Sequence, residues 1–486
     1  MKKITIFAIF ISIISLSAFA QNDIDALRYS KTTFGGTARY MGLCGAFGAL
    51  GADFSVLSTN PAGIGLYKSS EFTITPTLYY GATNSSYNGT SREDSKYNFN
   101  FNNVGIILTS DISNTSEQSV WKNVQFGFGI NRINNFNNRI LIEGQNSQNS
   151  ILNSYVEYAD GNYYNTLNQY DTQLAFDTWL LDTITGNDQY YYSAVPYGGV
   201  LQQKLVETSG SMNEVVLSVG ANYDDILYLG ATFGFPSIRY TSESTYTETD
   251  VADTIPRFDQ LTIRENVDTK GTGFNFKFGM IFRPLDFVRI GAAIHTPTFY
   301  GNMKDNWNTS IESTFSNTDH PYNQADSPNG YFDYELTTPM KILGSIAFII
   351  GQNGLVSADY EFIDYSTAKL KSSSYSFFDE NDNIRTKYTS AGNLRLGTEW
   401  RYDIFNFRGG YAIYGNPFKS GLNDAKSTSF SLGFGIRERN YFIDFAYVNT
   451  KFDEDYYLYG TNNISVNPVE NKFKNNQFLI TVGIKY

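Results

Sequence analysis

Segments of about ten residues in which apolar and polar side chains alternate recur along most of this 486-residue chain, and that period of two limits what it can fold into. In FNFKFGMIFR (274–283), Phe274, Phe276, Phe278, Met280 and Phe282 share one face, opposite Asn275, Lys277, Gly279, Ile281 and Arg283. In NLRLGTEWRY (393–402), Leu394, Leu396, Thr398, Trp400 and Tyr402 oppose Asn393, Arg395, Gly397, Glu399 and Arg401. The segments at 356–362 and 405–414 behave the same way. A soluble β-sandwich alternates too, so the links between segments decide. Tight links at Asp224-Asp225, Pro284-Leu285-Asp286, Gly351–Gly354, Tyr402-Asp403 and Arg439-Asn440 are interspersed with long polar links at 145–211, 244–270, 300–330, 371–390, 415–426 and 453–474. Short turns at one end and long loops at the other are the arrangement of a transmembrane β-barrel.

The reading is therefore an all-β, antiparallel transmembrane barrel. Its strands are expected at 70–82, 96–110, 121–143, 212–223, 226–242, 270–283, 287–299, 331–350, 355–366, 391–402, 404–414, 428–437, 441–450 and 475–486. That is fourteen, an even number, as closure with both ends on one side requires. The final strand, NQFLITVGIKY, ends on the aromatic Tyr486, a signal suited to barrel-assembly machinery.

Composition agrees. Aromatic residues make up 16% of the chain, and after residue 20 no run approaches the ~18 apolar residues of a membrane helix. The first twenty residues, MKKITIFAIFISIISLSAFA, have the cationic start, apolar centre and A-x-A ending of a signal peptide. The formal net charge of −12 argues against nucleic acid, whose phosphates need clustered Lys and Arg. With one cysteine, Cys44, two histidines, no G-x-S-x-G and no metal-spaced cluster, the chain offers no catalytic residues, metal site or cofactor. Asp379-Glu380-Asn381-Asp382-Asn383 reads as a solvated loop, because it lacks the EF-hand glycine.

Residues 21–69 do not alternate. Glycine and alanine crowd 35–52, interleaved with Met41, Leu43, Phe47, Leu50, Phe54, Val56, Leu57, Ile64 and Leu66. Disordered linkers lack such packing residues, so a compact plug is expected ahead of the barrel at 70–486. Asp53–Thr59 is a helical turn or two, halted at Asn60-Pro61 because a residue before proline is pushed away from αR.

The run GGTARYMGLCGAFGALGADFSVLSTNPAGIGLY (35–67) resembles the N-terminal region of the FadL/TodX family, outer-membrane channels for long-chain fatty acids and other hydrophobic compounds. IFRPLDFVRIGAAIHTPTFY (281–300) and TPMKILGSIAFIIGQNGLVSADYEFIDYS (338–366) resemble it further. Asn60-Pro61-Ala62 matches the family's hatch motif. The resemblance implies a fourteen-stranded barrel closed by an N-terminal hatch, passive uptake of hydrophobic small molecules, and placement among outer-membrane lipid and lipopolysaccharide. It makes Asn60, Pro61, Ala62 and Gly63 gating residues, the turn by which the hatch leaves the lumen for the first strand. It also implies lateral exit through a kink in the third strand, where Gly127 and Gly129 face inward by phase. Glycine permits such a bend, and equally it makes room for a hatch.

Lumen-phase arginines Arg283, Arg289, Arg401 and Arg437 have two readings: holding the hatch through groups such as Asp53 and Glu71, or filling the barrel with a salt-bridge lattice. Ile151, Leu152, Trp179, Leu180 and Leu181 in the longest loop either form a substrate pocket or pack the loop's own core. The competing functions are a surface binding protein (a haem receptor or adhesin) using the large loops, and a polar-solute porin, which the NPA hatch disfavours.

Overall fold

The computed structural model describes residues 22–112, 120–461 and 463–486; the signal peptide lies outside them, as does most of the 111–120 link. The chain forms a closed barrel of fourteen antiparallel strands. They are β1 (Glu71–Tyr87), β2 (Thr90–Asp111), β3 in two parts (Trp121–Asn135 and Asn138–Asn146), β4 (Val200–Tyr223), β5 (Leu227–Thr249), β6 (Phe258–Leu285), β7 in two parts (Val288–His295 and Phe299–Phe315), β8 in two parts (Gly330–Thr337 and Lys341–Ile350), β9 (Gly354–Asp364), β10 (Ser390–Tyr402), β11 (Phe405–Tyr414), β12 (Ser427–Arg437), β13 (Tyr441–Tyr456) and β14 (Val469–Lys485). Each pairs with the next over at least part of its length, and β1 closes on β14 from Glu71↔Lys485 to Ser86↔Glu470, so the sheet closes on itself.

The alternation maps onto this wall as expected. On β6, Asn275, Lys277, Gly279 and Ile281 are buried inward, whereas Phe274, Phe278, Met280 and Phe282 are exposed outward. Exposed apolar side chains at matching heights on neighbouring strands, such as Leu217, Phe233 and Ile294, form the lipid-facing belt of a membrane barrel.

Strand ends at the long-loop side differ from expectation. β1 runs on to Tyr87 and turns into β2 through Asn88-Gly89, both at positive φ, where 83–95 reads as a link. β5 and β6 extend to Thr249 and back to Phe258, and β13 and β14 to Tyr456 and Val469. These extensions stand beyond the apolar belt, where the outward face is polar too and the inward face mixes polar with apolar residues, so the period of two loses its contrast.

The long 145–211 link is structured. Helices α1 (Asp23–Ser30) and α2 (Ala38–Gly42) precede the barrel, α3 (Ile151–Ala159) and α4 (Thr172–Asp177) lie in this link, and α5 (Phe378–Lys387) lies in the loop before β10. A two-stranded ribbon, Leu181–Ile184 with Asn187–Ser193, completes the link. Leu152, Leu180 and Leu181 are buried in a cluster with Tyr246, Leu261 and Ile311 of the extended strands, while Trp179 stacks on His320 at 5.9 Å and stays exposed.

Candidate functional site

The chain ahead of β1 folds by local rules before it meets the wall. Asn22 and Asp25 make a reciprocal capping box on α1. Thr37 caps α2 by accepting from Tyr40 N at 3.2 Å, and its hydroxyl donates to Asp53 Oδ2 at 2.6 Å. One 3₁₀ turn follows at Phe54–Ser58 and another at Pro61–Leu66. Met41, Leu43, Phe47, Leu57 and Ile64 are fully buried, in one cluster with inward-facing Ile107, Val216, Ala347, Ala412 and Leu479 of the strands.

The NPAG stretch is a helix start rather than an exit turn. Asn60 Oδ1 accepts from Ala62 N at 3.2 Å, with Pro61 in the first position, which needs no N–H donor. The other end of the Asn60 amide donates to Gly48 O at 2.6 Å and to Met280 O on β6 at 3.3 Å. Ala62 and Gly63 are buried. The wall admits this turn only because it lacks side chains there: a Cβ on Gly279 would lie 1.9 Å from Asn60 Oδ1, and one on Gly230 2.2 Å from Pro61 O. Exit to β1 comes later, through Tyr67–Ser70.

Main-chain groups and one arginine of the N-terminal segment carry its attachment to the wall. Asp359 on β9 accepts from Phe47 N at 3.0 Å and Gly48 N at 2.9 Å. Ser431 donates to Gly42 O at 2.9 Å, Gln125 to Tyr67 O at 2.9 Å, and His295 Nε2 to Thr59 O at 2.6 Å. Arg39 reaches out to Glu399 on β10 through two bonds of 2.9 and 3.0 Å. Burial works against its charge, but the Glu399 carboxylate more than reverses this and keeps the guanidinium ionised. Burial also pushes the Cys44 thiol up to about 12.

Of the four arginines singled out by phase, only Arg289 bonds this segment, donating to Leu50 O at 2.7 Å. Arg283 pairs with Asp286 at the short-turn rim, Arg401 donates to Asp403 O, and Arg437 pairs with Asp444. The expected acceptors are satisfied elsewhere: Asp53 by Thr37 and Ser55, and Glu71 by Tyr67 OH.

Gly127 and Gly129 sit in an unbroken part of β3, paired with Ile107 and Gly105 of β2. Cβ atoms there would strike Leu57 and Phe54, so these glycines make room for the segment. The break in β3 lies further on, at Phe136-Asn137. Pairing of β2 with β3 ends at Asn103↔Asn131, and the second part of β3 pairs with β4. Side chains alone, such as Arg92–Glu143 and Arg139–Asp94, connect it back to β2. A cavity of about 500 Å³ lies between these strands, bordered by Phe99, Phe101, Ile130, Arg132, Asn137 and Gly210. Residues 31–35 back it from inside: Thr33 N donates to Ile133 O at 2.9 Å, and Asn134 donates to Lys31 O at 3.0 Å.

Above this level α1 fills an apolar chamber. Ala26, Leu27 and Tyr29 pack among Phe136, Met212, Tyr240, Tyr300, Met303 and Tyr334. Its Asp23 accepts from Tyr388 OH at 3.1 Å and from Lys387 at the end of α5. Burial raises Asp25, against the pull of its partner Arg28.

No protein-family model matches the sequence, and no curated protein matches it. Solved structures do. Over 93% of this chain and 98% of the other, it superposes on a FadL homologue from Pseudomonas aeruginosa with TM-score 0.54 and 12% identity. The fold is of the FadL type. The toluene transporters TodX of Pseudomonas putida (TM-score 0.53, 10% identity, 94% and 100% covered) and TbuX of Ralstonia pickettii (0.51, 15%, 93% and 99%) are similar to it as well. A FadL-type barrel with this apolar belt is a multi-pass outer-membrane protein.

Asn60, Arg289 and the inward glycines were named from the sequence, and the structure places them against the N-terminal segment; Arg39 and the break in β3 were not named. The signal for the break was present as NRINNFNN (131–138), an asparagine-rich run poorly suited to a strand.

Proposed function

We propose that the protein is an outer-membrane channel for passive uptake of hydrophobic molecules, such as long-chain fatty acids or aromatic hydrocarbons, with residues 21–69 as its hatch. The observation that carries this reading is the break in β3, an opening toward lipid in a barrel whose bore is occupied by its own chain. An apolar solute gains by leaving sideways into the bilayer, whereas a polar solute finds a packed lumen. Asn60, Pro61, Ala62 and Gly63 lock the hatch to β6, and residues 31–35 cover the lateral exit. The likeness to the toluene transporters TodX and TbuX supports the substrate class. The terminal strand ending in Tyr486 suits recognition by barrel-assembly machinery.

The test is entry of a radiolabelled long-chain fatty acid, of toluene and of a small sugar into liposomes carrying the folded protein or its Asn60→Ala/Pro61→Ala variant. Apolar entry without sugar flux, changed in the variant, is expected. Sugar flux through the wild type indicates a porin instead. Absence of any flux moves the function to surface binding by the outer loops.

A further inference from the structure

Just beyond the apolar belt, on its long-loop side, three cations stand in one row on the outward face. Arg239 on β5 is directly opposite Lys270 on β6, and Lys270 directly opposite Lys304 on β7. All three are exposed. Like charges placed opposite one another in a sheet repel, and this chain is acidic overall, so the row calls for a counter-charge. The neighbouring carboxylates supply part of it. Asp268 lies 2.7 Å from Lys270, and Asp333 faces Lys304 from β8, with Glu335 two residues on. Among the described residues no ion pair within 4.0 Å involves Arg239 or Lys304.

Directly below the row the wall is dented. Between the pairs Gly234↔Asn275 and Ser237↔Thr272, Phe235 and Pro236 have no ladder partner on β6. On the other side, β7 bulges at Gly301 between Tyr300↔Gly273 and Asn302↔Thr272. The groove measures about 420 Å³ and is lined by Phe235, Pro236, Gly273, Phe274, Phe299 and Gly301. A Cβ on Gly301 would meet nothing within 4 Å, so that position opens onto free space.

We propose that this groove and row form a binding site for the lipid A part of lipopolysaccharide, with an acyl chain in the groove and a phosphate across Arg239, Lys270 and Lys304. Arginine and lysine side by side suit a phosphate, and three aromatic rings suit a hydrocarbon chain. The source is fixed by height. The row lies at the long-loop end of the belt, at the outer-leaflet boundary, where the anionic lipid of an outer membrane is lipid A; glycerophospholipid headgroups lie at the opposite boundary. The site rests on the outer-membrane placement and is independent of what the channel carries.

Native mass spectrometry of the detergent-purified full chain tests it, with bisphosphorylated lipid A, dephosphorylated lipid A or phosphatidylglycerol added. One bisphosphorylated lipid A per protein is expected, held about tenfold more tightly than the dephosphorylated form, as charge-assisted bonds would give. Arg239→Ala/Lys270→Ala/Lys304→Ala should remove that preference. Gly301→Leu, which fills the groove and leaves the cations in place, should weaken both lipid A forms alike. Equal retention of the two forms by the wild type, or equal retention of phosphatidylglycerol, overturns the site. The wild-type comparison needs no variant to fold. Fatty-acid flux that persists in the triple variant shows the two functions to be separate.

Discussion

At the scale of single residues, Asn60 ties the N-terminal segment both to itself and to the wall. Its amide caps the Pro61–Leu66 turn, bridges back to Gly48 and crosses to Met280 on β6. Asn60→Ala leaves these groups without partners in a buried site, at a cost of about 1–3 kcal/mol. Cys44 makes the loss measurable. It is fully covered, its sulfur lies 3.1 Å from Ser431 Oγ, and its thiol is pushed up to about 12 by burial. At pH 8 the wild type should therefore resist maleimide until denatured, since the thiolate is the reacting form. Asn60→Ala should label severalfold faster when followed by mass shift. Equal rates would mean that Asn60 does not hold the hatch. Gly129→Val is expected to block assembly of heat-resistant barrels on gels, because its Cβ would fall 2.3 Å from Val104 O and 2.6 Å from the Phe54 ring.

At the scale of elements, the N-terminal segment is held by its carbonyls and N–H groups, presented to single side chains from many strands. That distinguishes the arginines that phase alone could not. Arg289 on β7 bonds Leu50 O, whereas Arg283 on β6 bonds Asp286 at the rim. Arg289→Ala should increase leakage of a polar dye through proteoliposomes, and Arg283→Ala should leave it at the wild-type level. The reverse order would return the hatch-holding role to the rim. Strand β3 shows the same division between local and tertiary causes. Its glycines, which invite a bend by composition, stay in register because β2 pairs with them and the N-terminal segment fills the space beside them. The bend occurs in the asparagine-rich run, whose residues suit a strand poorly, and where Gly210 opposite, at φ 113°, lets β4 follow.

At the scale of the whole molecule, the barrel and its filling are separable. Strand pairing closes the wall without residues 22–69, and inward glycines reserve the space those residues take. Deletion of 22–69 should convert a protein with little ion conductance in planar bilayers into one with large, steady steps. Unchanged conductance would mean that the outer cap of α3, α4 and the loop ribbon closes the bore. The sequence by itself determined the fold class, the strand count and the inward phase of each side chain, because lipid outside and a packed interior impose opposite polarities on alternate residues. It also marked 21–69 as a packing segment. It did not determine strand ends beyond the belt, where the outward face is wet, the inward face mixes polar with apolar residues, and the contrast between them fades. Nor did it decide which lumenal charge meets which partner, since Arg39 and Glu399, like Asp359 and Gly48, lie hundreds of residues apart. Only closure of the wall around the N-terminal segment brings those groups within bonding distance.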